Sequence, residues 1–171
     1  MKKTDLSQLA REDAFNLIGK EWMLVTAGTL EHYNTMTASW GSIGWLWNKP
    51  VAFVFIRPER FTHQFIEENE RMTLSFLGEA HRDILNFCGS KSGRDHDKAK
   101  ETGLQPVKTE LGCVAFQQAR LTLEGRKLYK SAFKAENFLD KAALERWYND
   151  KPGGSLHDVY VVEIENVYTA E

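Results

Sequence analysis

Three short stretches hold residue types that could do chemistry together. Arg57 to Thr62 (RPERFT) sets two arginines and a threonine around a proline turn that should lead into a helix. A helix N-terminus offers unpaired N–H groups and a partial charge of roughly +0.5. With two guanidinium groups beside it, such a turn could hold a phosphate dianion. The same arginines could equally pair with Glu59, Glu67 or Glu68 on a solvated loop. Cys88 to Lys98 (CGSKSGRDHDK) gathers Lys91, Arg94 and Lys98 with two serines around Gly93. A positive-φ turn at Gly93 could aim backbone amides at an anion, and Asp95 or Asp97 could cap the next helix. The alternative is an exposed loop of neutralised charges. Asn34 to Gly41 (NTMTASWG) joins small hydroxyl residues to Met36 and Trp40. Strand amides with the Thr37 and Ser39 hydroxyls could bond the polar edge of a flat ring, while Met36 and Trp40 pack on its face. Equally, Met36 and Trp40 could be plain core, as apolar residues most often are.

The elements that must position these stretches read as mainly strands. Leu6 to Ile18 suggests a short helix or strap packed on the body. Trp22 to Ala27 is a dense apolar run and reads as a buried strand. Gly28 to Tyr33 reads as a turn and Thr35 to Trp40 as a second strand ending at Gly41, together a hairpin. Val51 to Ile56 is apolar on both faces and should be an interior strand, stopped by Pro58. A helix from Thr62 to Glu70 follows, with Thr62 as N-cap and a staple between Phe61 and Ile66. Arg71 to Leu77 reads as a strand, His81 to Cys88 as a short helix, and Ser90 to Asp97 as a polar loop before another short helix. Cys113 to Leu123 alternates with period two, broken at Gln117. Asn137 to Tyr148 has helical spacing, Pro152-Gly153-Gly154 is a turn, and Val159 to Tyr168 is the closing strand. Six or seven strands with three or four short helices do not fit a doubly wound sheet and suggest one antiparallel barrel domain over 1–171.

Composition narrows the function classes. The chain has 171 residues, of which 42% are hydrophobic, 27% charged and 12% aromatic, as expected of a folded globular domain. A net charge of −2 argues against a nucleic-acid binder. No apolar run approaches the roughly 20 residues of a membrane span, and the N-terminus has no signal-peptide pattern. Cys88 and Cys113 have no metal-type spacing and read as buried thiols in a reducing cytoplasm. The sequence contains no GxGxxG, GxxxxGK[ST], HExxH or GxSxG, and its five histidines have no metal-ligand spacing.

The strings NTMTASWG at 34–41, PVAFVFIRPERFTHQFI at 50–66 and CGSKSGRDHDK at 88–98, in that order and spacing, resemble the flavin reductase-like family of FMN-binding split barrels, closest to its flavoredoxin-like branch. The resemblance covers roughly residues 15 to 168. It implies a six-stranded antiparallel Greek-key split barrel with short helices in the connections, and a homodimer with FMN at the interface. It implies that Asn34, Met36, Thr37, Ala38, Ser39 and Trp40 line the flavin ring and ribityl chain. Arg57, Arg60, Phe61 and Thr62 would hold the phosphate and ribityl end. Ser90, Arg94, Asp95 and Lys98 would approach from the next loop. Reductases of the family often carry Gly-Asp-His before the last strand, near where nicotinamide stacks. Here Gly154-Ser155-Leu156-His157-Asp158 occupies that place, with His157 in the corresponding role. The implied activity is hydride transfer from NADH or NADPH to flavin N5, with no catalytic acid or base and no metal. The alternative is an FMN electron carrier that a redox protein partner reduces.

Overall fold

The computed structural model describes residues 1–149 and 154–170. Pro152 and Gly153 of the expected turn lie outside the described residues.

The chain opens with β1 (Lys2–Thr4), a 3-10 turn at Leu6–Arg11, and α1 (Ala14–Asn16), which runs into a single π turn at Leu17–Glu21. Asp5 caps the 3-10 turn and Asp13 caps α1, each accepting from backbone N–H groups. Leu17 and Ile18 bury against the body, so this segment is a strap. The hairpin follows as β2 (Met23–Thr29) and β3 (His32–Ala38). Gly28 sits at φ +115 with room for no Cβ, which would lie 2.3 Å from the His32 carbonyl oxygen. Trp22, expected in the strand, has φ 70 and stands just before it.

After β3, only Ser39 and Trp40 intervene before β4 (Gly41–Leu46), which pairs with β5 (Lys49–Ile56). Then come α2 (Phe61–Glu68), β6 (Arg71–Phe76), α3 (Arg82–Ser90) and α4 (Lys98–Thr102). The remaining elements are β7 (Pro106–Lys108), β8 (Val114–Phe116), β9 (Leu121–Ala132), α5 (Lys141–Tyr148) and β10 (Asp158–Thr169). The main sheet runs β3-β2-β6-β9-β10-β5-β4, with β1 added to β10 and every pair antiparallel; β7 and β8 form a separate ribbon.

The expected mainly-β, antiparallel architecture with short helices is present. The expected six strands are not. The sheet has eight, and its path does not close into a barrel. Two strands were hidden by their composition. β4 carries two glycines and alternates exposed positions on a sheet edge, so it lacks an apolar run. β9 continues past Leu123 through Glu124, Gly125, Arg126 and Lys127, which break the apolar alternation. Glu124 is nonetheless buried, accepting from Thr109 Oγ1, Asn166 Nδ2 (2.9 Å) and Tyr168 Oη (2.6 Å). The run from Cys113 to Leu123 is two elements, β8 and the start of β9, separated by a turn at Gln117.

β3 and β4 are the two ends of the sheet path, yet three Cα steps join them, a reach of at most about 11 Å. The sheet must therefore curl until its two ends stand side by side. The split in the barrel falls at Ser39 and Trp40. Inside the curl lies one apolar cluster, including Val25, Met36, Val54, Phe76, Leu123 and Tyr160. A second lies outside, where Leu24, Leu85, Cys88, Leu104 and Phe116 pack α3 and α4 onto the outer face of β2 and β3. Consecutive Leu24 and Val25 point to the two different clusters, as the pleat requires.

Candidate functional site

The split and the two stretches that flank it converge on one wall. β5 ends at Ile56, Pro58 turns the chain, and α2 begins. Arg60, not Thr62, takes the N-cap position, in extended backbone geometry and with no side-chain cap. Thr62 lies inside the first turn, buried, and its Oγ1 accepts from Asn34 Nδ2 at 2.7 Å. The expected Phe61–Ile66 staple is replaced by an edge-on contact of Phe61 with Phe65, ring centroids 5.1 Å apart.

Arg60 donates from Nη2 to the Gly89 carbonyl oxygen at 3.1 Å. It has no carboxylate within ion-pair distance among the described residues. Glu67 is engaged by Lys130 and Tyr160, and Glu68 by Gln64. Burial lowers the Arg60 pKa, with Arg57 adding to it and Glu59 opposing. Lys98 is buried more deeply, at 5% exposure. Its Nζ donates to the Thr35 and Cys88 carbonyl oxygens, each at 2.8 Å, which ties the free edge of β3 to the C-terminal turn of α3. Burial first, and Arg60 further, bring the Lys98 pKa down to about 8. Two cations are thus held in a partly dry cleft with carbonyl oxygens as their hydrogen-bond partners, an arrangement that favours an incoming anion.

That cleft measures about 280 Å³ and is lined by Asn34, Arg60, Thr62, Ser90, Arg94 and Lys98, with Glu59, Phe61 and Gly89 to Gly93. Gly93 is not in the positive-φ region expected of it. Its requirement is close approach: a Cβ there would come within 2.0 Å of Asn34 Oδ1 and 3.1 Å of Phe61. Asp97, rather than Asp95, caps α4, accepting from the Lys100 N–H at 3.1 Å. Ser90 Oγ donates back into α3 at the Asn86 carbonyl oxygen, 2.8 Å. Arg94 lies over the Phe61 ring at 4.8 Å and reaches the Glu59 carbonyl oxygen at 3.4 Å.

A second hollow of about 190 Å³ adjoins the first through Arg60 and is lined by Met36 to Trp40, Phe55, Arg57 and His157. Met36 belongs to the inner core at 4% exposure and meets the hollow from beneath. Thr37 Oγ1 donates to the Leu85 carbonyl oxygen at 2.5 Å, fixing the strip to α3. Arg57 stands on this side and does not line the Arg60 cleft. Its Nη2 donates to the Trp147 carbonyl oxygen at 2.6 Å, its guanidinium lies 5.1 Å from the Tyr148 ring, and Glu59 is 3.8 Å away.

Sequence reading missed the role of α5 here, because helical spacing at 137–148 says nothing of where the helix docks. Trp147 stands edge-on to Trp40 at 5.2 Å, and Trp40 lies 5.2 Å from the His157 ring. Tyr148 Oη and His157 Nδ1 share a hydrogen bond of 2.7 Å. His157 is only 8% exposed. Burial, then Arg57, bring its pKa down to about 4, so it is neutral at pH 7. Cys88, beneath Lys98, has its thiol pushed up to about 11 by burial and is no nucleophile. No group of three or more metal-ligating side chains occurs among the described residues. No helix among them is long and apolar enough to cross a membrane.

The family model described as "Flavin reductase like domain" matches residues 15–171. The chain belongs to the flavin reductase-like family. Solved structures agree on the fold. The FMN-binding protein from Thermus thermophilus with bound 1-cyclohex-2-enone is 23% identical, with a TM-score of 0.68 over 86% of this chain and 69% of that one. Flavoredoxin from Methanosarcina acetivorans is 21% identical, with a TM-score of 0.69 over 88% and 69%. Nitrilotriacetate monooxygenase component B from Bacillus cereus is 13% identical, with a TM-score of 0.67 over 98% and 78%. No curated protein matches the chain. In this flavin reductase-like chain, the Arg60 cleft and the hollow along β3 are neighbours that share Arg60 as a wall.

Proposed function

We propose that the chain binds FMN along this site and is an NAD(P)H-dependent flavin reductase. The observation that carries the reading is Arg60: a half-buried guanidinium at the start of α2, facing a cleft, with a carbonyl as its only hydrogen-bond partner among the described residues. The donor set suits a phosphate monoester. Arg60, Arg94 and Lys98 supply charge, Ser92 and Thr62 supply hydroxyls, and the first residues of α2 line the cleft. The close approach of Gly93 to Asn34 and Phe61 fixes this wall of the cleft, since any side chain at 93 would displace them.

The chemistry FMN supplies when bound is acceptance of a hydride at N5 from a reduced nicotinamide, then release of the electrons to an acceptor. The residues of the chain position and shield. Thr37 to Trp40 give the ring-side wall, with Thr37 held by Leu85. His157, neutral at pH 7, gives an uncharged ring and no proton. Titration decides the reading: NADH or NADPH should bleach the bound flavin near 450 nm, and failure of both over minutes rules the reductase out.

One observation favours a second reading, an FMN electron carrier that a redox protein reduces. Trp147 and Tyr148 already cover His157 and Trp40, where a second flat ring would stack. Flavin that stays oxidised with both nucleotides, yet reduces with a reduced redox protein, would establish the carrier.

We also propose a cytoplasmic homodimer. Trp45, Trp47 and Tyr129 are 66%, 56% and 51% exposed around the free edge of β4, a surface that suits a second copy. Cys88 and Cys113 are free and buried, which supports a reducing compartment. Light scattering at micromolar concentration should give twice the chain mass.

A further inference from the structure

A separate concavity lies at the C-terminal end of β9 and shares no lining residue with the Arg60 cleft. The last residues of β9, the 3-10 turn Ala135–Asn137 with the two residues after it, and the start of β10 enclose a groove of about 470 Å³. That volume lies inside the roughly 300–1,000 Å³ typical of small-molecule sites. Its walls are mainly apolar: Phe133, Phe138, Leu139 and Val159. The Phe133 and Phe138 rings stand perpendicular, centroids 6.0 Å apart, and make an aromatic corner. Leu139 is 100% exposed although it lines the groove, and Phe133 is exposed with it. Covering these side chains takes apolar surface out of water, which favours an occupant with an apolar body.

The polar residues select the charge of that occupant. Lys134 is the single charged residue of the lining, and no carboxylate belongs to it. The Lys134 ammonium, the Asn137 amide and the Ser131 hydroxyl have no hydrogen-bond or ion-pair partner among the described residues. Water solvates them in the open groove, so they discriminate between ligands and the apolar walls drive binding. A carboxylate gains a charge-assisted hydrogen bond from Lys134, an amine is repelled, and a neutral amide gains no charge. A phosphate dianion would be only half neutralised by one ammonium. The groove also touches the wall of the proposed flavin hollow. The Phe133 N–H donates to the His157 carbonyl oxygen at 2.9 Å, and the Phe133 ring lies 5.5 Å from Phe55, which lines that hollow.

We infer that this groove binds a small apolar monocarboxylate, its body against Phe133, Phe138 and Leu139 and its carboxylate on Lys134. The shared chemistry is one negative charge on an apolar body, which is either a single ring or a short alkyl chain. The inference does not depend on FMN binding, since the groove and the Arg60 cleft have separate walls.

Calorimetric titration of the flavin-free protein at fixed ionic strength tests it. The ligands are benzoate and hexanoate, each against its uncharged amide, on wild type, Lys134→Gln and Leu139→Ser. Both residues are exposed, so the variants should fold, which circular dichroism checks. At least one acid should bind about tenfold more tightly than its amide, the scale of a hydrogen bond to a charged group. Benzoate in the lead assigns a ring and hexanoate a chain. Lys134→Gln should remove the preference for acid over amide. Leu139→Ser should weaken acid and amide alike, and neither variant should change FMN affinity. No binding of either acid, equal binding of acid and amide, or acid binding indifferent to Lys134→Gln overturns the inference. A dimer that Leu139→Ser dissociates, with no acid bound, also overturns it and gives the groove to a second copy.

Discussion

Arg120 and Arg60 carry the same guanidinium into two different kinds of surroundings. Arg120, beside the strap, meets two carboxylates. It donates to Glu21 at 2.8 and 2.6 Å and to Glu12 at 2.9 and 3.0 Å, and these bonds raise its pKa. Arg60, at the split in the sheet, meets a single carbonyl, and burial lowers its pKa. Lys98 beside it repeats the pattern with two carbonyls. A cation whose charge is neutralised holds the fold together. A pair of cations bonded only to carbonyls in a cleft, with no carboxylate at ion-pair distance among the described residues, costs stability and is ready for an anion. Fold and site are separable here, and substitution at each should move a different quantity.

The largest effect on stability is expected at Arg120. Arg120→Ala leaves Glu21, 3% exposed, as a buried carboxylate without its partner. The loss should be about 2–3 kcal/mol in urea unfolding, moderated because Arg120 itself is partly exposed. FMN affinity should not change, and a parallel loss of affinity would break the separation. Gly93→Ala should act on the other region. Its Cβ cannot coexist with Asn34 Oδ1 2.0 Å away, so the loop must shift and the Asn34–Thr62 bond with it. FMN affinity should fall at least about tenfold, or 1.4 kcal/mol, by fluorescence titration.

Titration of Lys98 sharpens the contrast. Its folded pKa of about 8 lies below the ordinary 10.5, so between these values the unfolded chain binds more protons. Stability of the flavin-free protein should therefore rise with pH across that window and be lost as pH falls back through it. A bound phosphate dianion favours the charged amine, so FMN affinity should move oppositely, weakening as pH rises through about 8. Lys98→Met should flatten the affinity profile, and an unchanged profile would remove Lys98 from the account. A smaller effect belongs to the ring-side cover. Tyr148→Phe removes the bond to His157 Nδ1 and should cost about 1 kcal/mol of stability. His157 titrates near 4 folded against 6.5 ordinarily, so its contribution is present above pH 6.5 and lost as pH falls toward 4. Trp147 fluorescence should report that loosening.

Much of the site was legible because its parts are local. RPERFT sits at a strand-to-helix junction, where proline ends one period and starts another. NTMTASWG runs along an edge strand, where hydroxyls and aromatics show. What failed depended on long-range contacts. Arg57 and Arg60 look equivalent three residues apart, yet extended backbone at Arg60 and the docking of α5 send them to different hollows. The buried status of Glu124 rests on Thr109, Asn166 and Tyr168, none near it in sequence, so only the first three residues of β9 were read as strand. The helix start was displaced by two residues because Thr62 spends its hydroxyl on Asn34, 28 residues away, rather than on a cap.

The central claim is that the cleft at Arg60 grips a phosphate. It is tested most directly by comparing FMN with riboflavin, which lacks that group, on wild type and Arg60→Ala. FMN should weaken by roughly 1.5–3 kcal/mol, the scale of a charge-assisted hydrogen bond, while riboflavin stays within twofold. Equal losses for the two flavins, or an FMN affinity indifferent to the substitution, would contradict it.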